Sequence, residues 1–247
     1  MLLAADIGNT NVTFGVFSGN KLVKKFFIPT KGYTEGRLKN KVGSRKINDA
    51  IICSVVPKTE RILAGSLTRL LRRPPYILGK NAHVPVKNLY HKPKQVGQDR
   101  LVNAYAGIKL YGAPLIAVDF GTAITFDVIS KNKEYLGGMI IPGLKISLDT
   151  LARQTALLPR VNLAAPKEFI GRDTKNSMLS GIIHGYACLA ECLTTKIKSG
   201  LTKNMKVIGT GGYIGLIKKY CRAFDKIDEN LTLKGLNLIY QYAKANK

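Results

Sequence analysis

Two short segments join an aspartate to a glycine at the end of an apolar run, a combination suited to binding phosphate and metal ions. Asp6 begins the first segment and Asp119 begins the second, 113 residues later. Such a carboxylate can hold a hydrated cation that bridges phosphate oxygens. The glycine lets the backbone approach a phosphate closely, and Asn or Thr side chains add neutral donors. The segments read Asp6-Ile7-Gly8-Asn9-Thr10-Asn11-Val12-Thr13 and Asp119-Phe120-Gly121-Thr122-Ala123.

A third segment, Gly209-Thr210-Gly211-Gly212, follows a predicted strand and opens a predicted helix. Its glycines permit close contact with a nucleotide, and a helix N-terminus favours negative charge. Glycine turns can also serve as simple links between elements. The three segments in this order favour nucleotide binding and an architecture of the actin/hexokinase/Hsp70 type.

An Asp-Arg pair in the segment Gly97-Gln98-Asp99-Arg100 places a carboxylate and a cation just before a predicted helix over 101–110. In one interpretation Asp99 lies near the N-cap and belongs to the start of the helix. In the other, Asp99 accepts the proton of an acceptor hydroxyl while Arg100 attracts an anionic group. A carboxylate suffices as a base for phosphoryl transfer, because positioning and charge neutralisation supply most of the catalysis. The spacing alone favours neither interpretation.

The elements that must position these residues repeat in the two halves of the chain. In each half a strand runs into Asp-x-Gly, a second strand follows, and a polar turn leads to a third strand. Two unrelated hairpins are a poor explanation for turns at the same place in matched halves. The predicted strands are 2–5, 12–17 and 22–28 in the first half, and 115–118, 124–129 and 135–141 in the second.

Helices alternate with single strands after each trio. A helix over 58–73 follows a strand over 49–56, and its predicted inner side carries Ile62, Leu63, Leu67, Leu70 and Leu71. The pattern predicts an α/β fold of two duplicated ribonuclease H-like (actin-like ATPase) lobes, each a mixed β-sheet flanked by helices. The predicted domains are 1–114 and 115–247.

The composition is that of an ordinary globular protein, with 247 residues, 45% hydrophobic and 22% charged. No window approaches the roughly 20 apolar residues that span a bilayer. The stretch before Asp6 is too short for the core of a signal peptide. We therefore expect a cytoplasmic protein with no membrane partner.

His184, Cys188 and Cys192 fall at four-residue steps on one face of a predicted helix over 177–198, a spacing that a metal could use. Buried helix positions are the more common use of such residues. The other two cysteines, Cys53 and Cys221, also lie in apolar runs. Free thiols in a reducing compartment are the simpler interpretation.

The formal net charge of +24 can attract polyanions and support nucleic-acid binding. The charge is interpreted as spread through the chain, with short clusters at Arg69, Arg72 and Arg73 and over 87–94. No helix-turn-helix, zinc-finger or RNP pattern accompanies these clusters. A solvated surface is the favoured interpretation, so nucleic acid is not expected as a partner.

Several motifs together resemble those of type III pantothenate kinases. The resemblance runs from Asp6 to about Leu236, so it covers nearly all of the chain, and the combination of motifs is specific to that family. Besides the segments above, the motifs are Cys53-Ser54-Val55-Val56-Pro57, Gly137-Gly138-x-Ile140-x-Pro142-Gly143, Gly171-x-x-Thr174 and Leu231-Thr232-Leu233-x-Gly235-Leu236.

The resemblance implies phosphorylation of pantothenate by ATP, the first step of coenzyme A synthesis. It implies Mg²⁺ or another divalent cation, together with K⁺ or NH₄⁺. It also implies a homodimer whose acceptor pocket lies at the subunit interface. The site residues that it implies are Asp6, Ile7, Gly8, Asn9, Thr10, Asn11, Val12, Thr13 and Thr122 for ATP, Asp119 for the monovalent cation, Asp99 as proton acceptor, and Tyr90, Gly97, Gln98, Asp99, Arg100 and Thr174 for pantothenate.

Two positions depart from the family pattern. Gln98 replaces a smaller residue, and Tyr213 follows the third glycine segment where a smaller residue is commoner. Tyr213 could change nucleotide affinity, which leaves the phosphate donor open. The alternatives are a kinase for another small hydroxylated acceptor and a non-catalytic transcription accessory factor of the same fold. Retention of Asp6, Asp99 and Asp119 argues against a non-catalytic protein.

Overall fold

The computed structural model describes residues 1–246, which form two compact units. The first unit comprises Met1–Leu110 and Asn230–Lys247, and the second comprises Tyr111–Glu229. These units differ from the predicted domains 1–114 and 115–247 mainly at the C-terminus, because the last helix packs on β-strands of the first unit. An apolar helix can cover either of two similar sheets, and its own sequence does not say which.

The helices and strands have the following bounds. The first unit contains β1 (Leu2–Ile7), β2 (Asn11–Ser18), β3 (Lys21–Pro29), α1 (Glu35–Val42), β4 (Asp49–Ser54), α2 (Pro57–Leu71), β5 (Tyr76–Ile77), β6 (Lys87–Asn88), α3 (Gln98–Tyr111, whose last residue belongs to the second unit) and α7 (Leu231–Ala245). The second unit contains β7 (Leu115–Phe120), β8 (Ala123–Ile129), β9 (Glu134–Pro142), α4 (Leu144–Gln154), α5 (Thr174–Gly200), β10 (Lys206–Thr210), α6 (Ile214–Ile217) and β11 (Lys226–Ile227).

The first sheet has the strand order β3-β2-β1-β4-β5. β1 pairs antiparallel with β2 and parallel with β4, so the carboxyl ends of β1 and β4 meet at one edge. The register places Asp6 opposite Thr13 on β2 and beside Cys53 on β4. The predicted trio of strands is confirmed, and it ends with Asp6 at that edge.

Five strands of the second unit lie in the order β11-β10-β7-β8-β9. β7 pairs antiparallel with β8 and parallel with β10, and β8 pairs antiparallel with β9. Asp119 lies opposite Thr125 on β8 and beside Thr210 on β10. The second unit therefore repeats the strand arrangement of the first, as the sequence repeat predicts.

Helices bury the apolar faces of both sheets. In the first unit, α1 and α2 contribute to one core cluster, in which the rings of Phe14 and Phe26 stack with centroids 5.0 Å apart. α3 and α7 contribute to a cluster that includes residues of β1 and β4. In the second unit, α4, α5 and α6 form a core with β7 and β8. Burial of these apolar surfaces stabilises each unit, and it fixes the strand ends that carry the candidate site.

Gly235 is where α7 packs closely on α3. A Cβ at this position would lie 2.7 Å from Val102 Cγ1 and 2.8 Å from the Val102 carbonyl oxygen. We expect Gly235→Ala to lower the free energy of unfolding by about 1–3 kcal/mol, because the added methyl overpacks the contact. The measurement is the urea midpoint of the purified variant. Gly185→Ala on α5, where a Cβ would meet no atom within 4 Å, should be neutral or stabilising; equal losses in both variants would contradict the packing argument.

Candidate active site

The turn at residues 8–11, which joins β1 to β2, is held by three hydrogen bonds. The Gly8 N–H donates to the Asn11 carbonyl at 3.0 Å, and the Thr30 N–H donates to the Thr10 carbonyl at 3.0 Å. The Thr30 hydroxyl donates to the Gly8 carbonyl at 2.7 Å. Asn9 and Thr10 are exposed on this braced turn, where a phosphate can reach them. Thr30 was not predicted, because nothing in its local sequence marks a residue that braces a distant turn.

Two of the residues predicted to bind ATP have their side chains in the core rather than at the turn. Ile7 and Val12 are fully buried among the apolar residues of the first unit. Either can therefore contribute to a phosphate site through its backbone alone. Polar groups of Asp6 and Thr13 remain half-buried at the strand ends.

Asp6 lies beside Cys53 in the register of β1 and β4, and the negative charges of Asp6 and Asp99 both act on the Cys53 thiol. Burial raises the pKa of the Cys53 thiol well above its usual value, and the negative charges of Asp6, Asp99 and Glu60 raise it further. The thiol is therefore neutral at ordinary pH and makes a poor nucleophile. The negative charges of Asp6 and Asp99 thus act on the same buried group of the first unit.

Asp99 is the second residue of α3 and so lies in the first turn of the helix. Its Oδ1 accepts the backbone N–H of the next residue, Arg100, at 2.9 Å, whereas an N-cap side chain accepts an N–H two or three residues further along the helix. Burial raises the pKa of the Asp99 carboxyl, while the Arg100 N–H and guanidinium partly oppose the shift. A carboxylate with a raised pKa is a stronger base, so the helix-start geometry and a proton-accepting role are compatible.

Two glycines, Gly97 and Gly79, leave space for the side chains of Asp99 and Gln98. A Cβ on Gly97 would lie 2.4 Å from Asp99 Oδ1, so a side chain there would displace the carboxylate. Gly79, with φ +78°, packs under the Gln98 side chain, whose Cδ would lie 3.5 Å from a Cβ at that position. The larger Gln98 is thus accommodated by a glycine turn. Tyr90 is placed by its N–H, which donates to Asn88 Oδ1 at 3.0 Å.

In the second unit, the Asp119 carboxylate lies in a pocket walled by glycine. Gly211 has φ +98°, and a Cβ on it would lie 2.4 Å from Asp119 Oδ1 and 2.5 Å from the Phe120 nitrogen. A Cβ on Gly121 would lie 3.3 Å from the same Oδ1. The Tyr213 N–H donates to the Phe120 carbonyl at 3.0 Å and holds the two segments together. Gly211 therefore makes room for the Asp119 carboxylate. The sequence alone predicts only that this glycine permits close contact with a nucleotide.

Thr122 lies at the tip of the second turn, which is supported by the start of α4. A Cβ on Gly143 would lie 2.2 Å from the Thr122 carbonyl oxygen and 2.7 Å from that of Gly121. The Gly121 N–H donates to the Ala123 carbonyl at 3.1 Å. Gly143 thus belongs to the support of the turn, which explains a glycine in the Pro142-Gly143 motif.

The helix predicted after the third glycine segment is present as α6, which has only four residues, Ile214–Ile217. Thr174 is exposed at the first position of α5. Asp173 caps that helix by accepting the Asn176 N–H at 2.8 Å, and this bond lowers the pKa of the Asp173 carboxyl. The structure therefore places Thr174 at a capped helix start.

The possible metal site on α5 is not supported. Among residues 1–246, no three His, Cys, Asp or Glu side chains come together as a metal site would require. The His184 ring instead packs edge-on between Phe169 and Tyr220, with both centroid distances 4.8 Å. Its neighbour in the helix pattern, Cys188, is exposed, as is Cys192, and both are free thiols.

A family model described as "Type III pantothenate kinase" matches residues 2–196. The chain is 40% identical to the type III pantothenate kinase of Geotalea uraniireducens, with 98% of each chain covered. It is also 40% identical to that of Syntrophus aciditrophicus, with 98% of this chain and 99% of the relative covered.

Solved structures agree on the fold. A Campylobacter jejuni protein proposed to be a Baf family transcriptional activator superposes with a TM-score of 0.61 at 22% identity, covering 99% of this chain and 100% of that one. The 2-hydroxyisocaproyl-CoA dehydratase activator of Clostridium difficile, solved with bound ADPNP, gives 0.57 at 11% identity, covering 99% and 96%. The predicted fold of two actin-like lobes is confirmed, and the chain belongs to the type III pantothenate kinase family.

Proposed function

We propose that this protein transfers the γ-phosphoryl group of ATP to the hydroxyl of pantothenate, the first step of coenzyme A synthesis. The observation that carries the proposal is the 40% identity to type III pantothenate kinases across 98% of both chains. The geometry around Asp99 adds a chemical reason, since a half-buried carboxylate of raised pKa in the first turn of a helix is suited to accept a proton.

In the first unit, the braced turn would bind phosphate oxygens. Backbone N–H groups at the exposed tip of the turn and the side chains of Asn9, Thr10, Asn11 and Thr13 supply neutral donors, and Gly8 allows the close approach. Asp99 would take the proton of the attacking hydroxyl. Arg100 would attract the pantothenate carboxylate, with Tyr90, Gly97 and Gln98 forming the rest of the acceptor site in the first unit. The family resemblance also implies a contact of Thr174 with pantothenate. Because the transition state is largely dissociative, these groups act mainly by positioning.

The residues at the two Asp-x-Gly turns suit cations with oxygen ligands. Asp6 offers a half-buried carboxylate to a divalent cation, and Asp119 offers one to K⁺ or NH₄⁺ in its glycine-walled pocket, where a larger residue at position 211 would fill the space. Bound cations would neutralise phosphate charge. The family resemblance also implies that Thr122 contacts ATP.

The alternative of a non-catalytic accessory factor rests on the likeness to the Campylobacter jejuni protein, which at 22% identity concerns the fold. Product analysis by mass spectrometry tests the proposal. Incubation with ATP and a mixture of pantothenate and simple sugars should yield phosphorylated pantothenate. A phosphorylated sugar would instead indicate another small hydroxylated acceptor, and absence of any phosphorylated product would favour the accessory factor.

We also propose that the protein is a homodimer, in keeping with the resemblance to its family. Apolar residues are exposed on β9 and α4, including Ile140 at 63%. They adjoin a groove of about 310 Å³ within the second unit, which a second copy would cover. The groove is lined by Pro142, Ile146, Ser147, Thr150, Leu151, Ile182 and Tyr186.

Ile140→Glu is expected to convert the dimer to a monomer, because burial of a carboxylate in an apolar interface is costly. Light scattering during gel filtration measures the mass. Since the family resemblance implies an acceptor pocket at the subunit interface, the KM for pantothenate should rise at least tenfold in the monomer. Leu201→Glu, at another exposed position of the second unit, is the matched control; a monomeric wild type, or an unchanged dimer in Ile140→Glu, would contradict the proposed interface.

No helix in the described part of the chain has the length and apolar character needed to cross a membrane. We propose a cytoplasmic location for the protein, in keeping with its proposed use of ATP.

A further inference from the structure

Positive charge is concentrated in the first unit. That unit carries 23 Lys and Arg against 5 Asp and Glu, whereas the second carries 16 against 10. Both short clusters noted in the sequence, at Arg69, Arg72 and Arg73 and over 87–94, belong to the first unit. The excess of positive over negative side chains is 18 in the first unit and 6 in the second. A charge excess of this size in the first unit suggests that its surface binds an anionic partner.

Contacts in the first unit join many of these cations into one patch, here called the basic surface. Lys24 Nζ donates to the Lys41 carbonyl at 2.5 Å and so links β3 to the end of α1. Arg69 and Lys39 share the Glu35 carboxylate at 2.5 Å and 2.9 Å, which links the end of α2 to α1. The basic surface comprises Lys24, Lys39, Lys41, Arg45, Lys46, Arg69, Arg72 and Arg73.

The patch continues to the amino ends of the strands. The Met1 amino group donates to the Lys46 carbonyl and to Asn48 Oδ1, both at 3.1 Å. Arg73 pairs with Asp49 at 3.0 Å and also donates to the Asn48 carbonyl. The eight side chains and the amino terminus therefore meet two carboxylates, Glu35 and Asp49, so at least six positive charges lack a carboxylate within the patch.

The basic surface lies away from the Asp6 turn. Lys24 pairs with Val16 across β3 and β2, and Val16 pairs with Leu3, three residues before Asp6. Met1 lies five residues before Asp6, so the separation along β1 is roughly 10–16 Å at about 3.3 Å per residue. The Debye length at physiological ionic strength is about 8 Å. Attraction of a nucleotide to the turn therefore does not account for these charges.

We propose that the basic surface binds the phosphate backbone of double-stranded nucleic acid without reading its sequence. From Lys24 on β3 to Arg73 beside β4 the patch crosses three strand spacings, about 14 Å at roughly 4.8 Å each. This width is comparable to the ~12 Å major groove. A duplex also has the charge density to engage six or more cations at once.

A lipid surface fits less well. Binding of a helix to a bilayer interface needs an apolar face, and the apolar residues of α1, Leu38 and Val42, are buried in the core. The proposal does not rest on the kinase function, because no residue of the basic surface belongs to the candidate active site.

Fluorescence anisotropy with the full chain tests the proposal, using mixed-sequence 20-base-pair DNA and RNA duplexes over a range of KCl concentrations. Binding at 0.15 M KCl is expected with a Kd of about 1–100 µM. The triple variant Lys41→Gln, Lys46→Gln, Arg72→Gln should reduce the salt slope by about 3 and weaken binding roughly tenfold or more. Its pantothenate-dependent turnover should equal that of the wild type.

The matched control removes three exposed cations from the second unit: Lys131→Gln, Lys203→Gln and Lys219→Gln. It should keep the salt slope within about 1 of the wild type. Equal losses in the two triple variants would show that total charge, and not this surface, governs binding, and would overturn the proposal. So would absence of duplex binding at 0.15 M KCl, or tighter binding to vesicles of anionic phospholipid than to either duplex.

Discussion

Asp99→Asn is expected to lower kcat by about 10²–10⁴-fold while the protein keeps its fold and its affinity for ATP. The amide cannot accept the hydroxyl proton, yet it can still accept the Arg100 N–H that Asp99 Oδ1 accepts at 2.9 Å. Turnover measured with saturating ATP and pantothenate gives the first number, and nucleotide titration gives the second. A variant with near-normal kcat would refute the assignment of Asp99 as the base.

The thermal stability of Asp99→Asn shows whether its loss of kcat is a chemical effect or the result of a folding defect. Burial raises the pKa of Asp99, so the folded state binds this proton more tightly than the unfolded chain does. The ionised carboxylate therefore destabilises the folded protein once the pH exceeds the usual carboxyl range. Asp99→Asn removes that cost, and its Tm at pH 7 should equal or exceed that of the wild type.

The pH dependence of kcat gives a second test of Asp99 as the base. The kcat of the wild type should fall as the pH decreases through the raised pKa of Asp99, and this fall should occur at a higher pH than an ordinary aspartate would give. The kcat of Asp99→Asn should not show this fall at low pH.

Gly211→Ala is expected to raise the K⁺ concentration for half-maximal activation at least tenfold. The new Cβ would lie 2.4 Å from Asp119 Oδ1, so it must displace the carboxylate proposed to bind the cation. Asp119→Ala should weaken activation by K⁺ further. Thallium(I) NMR, with Tl⁺ in place of K⁺, measures the same loss of cation binding without turnover.

Gly212→Ala is the matched control in the same segment, because a Cβ there would meet no atom within 4 Å and its φ is not in the left-handed region. It should keep the K⁺ affinity whatever it does to the KM for ATP. If Gly211→Ala fails to fold, Asp119→Ala alone tests the cation site. Unchanged K⁺ dependence in Asp119→Ala would remove Asp119 from that role.

Local patterns predicted the strands well because they depend on alternation and turns. The strands predicted over 12–17 and 124–129 are observed as Asn11–Ser18 and Ala123–Ile129. The inner side of α2 was harder to predict. Leu63 and Leu67 are buried, but Ile62 and Leu70 are 48% and 45% exposed. The apolar side of α2 is wider than the surface that packs against it. The sequence of the helix does not show how much of that side will be covered, because the covered width depends on the neighbouring elements.

The candidate site shows the same division. The positions of aspartates at strand ends could be predicted from the Asp-x-Gly segments, because a carboxylate next to glycine is a residue pattern suited to binding phosphate and cations. The part played by Gly211 could not, since it depends on β10 lying beside β7. Thr30 was missed for a similar reason: it reaches the Gly8 carbonyl from 22 residues away. Sequence motifs thus name the reacting groups, and tertiary structure decides which neighbours hold them.

The most direct test of the account is pantothenate-dependent ADP release by the purified full chain, with Mg²⁺ present and K⁺ compared against Na⁺. The account predicts ADP release that requires pantothenate and is much faster in K⁺ than in Na⁺. Failure to release ADP with ATP, other nucleoside triphosphates and NH₄⁺ all tried would contradict it.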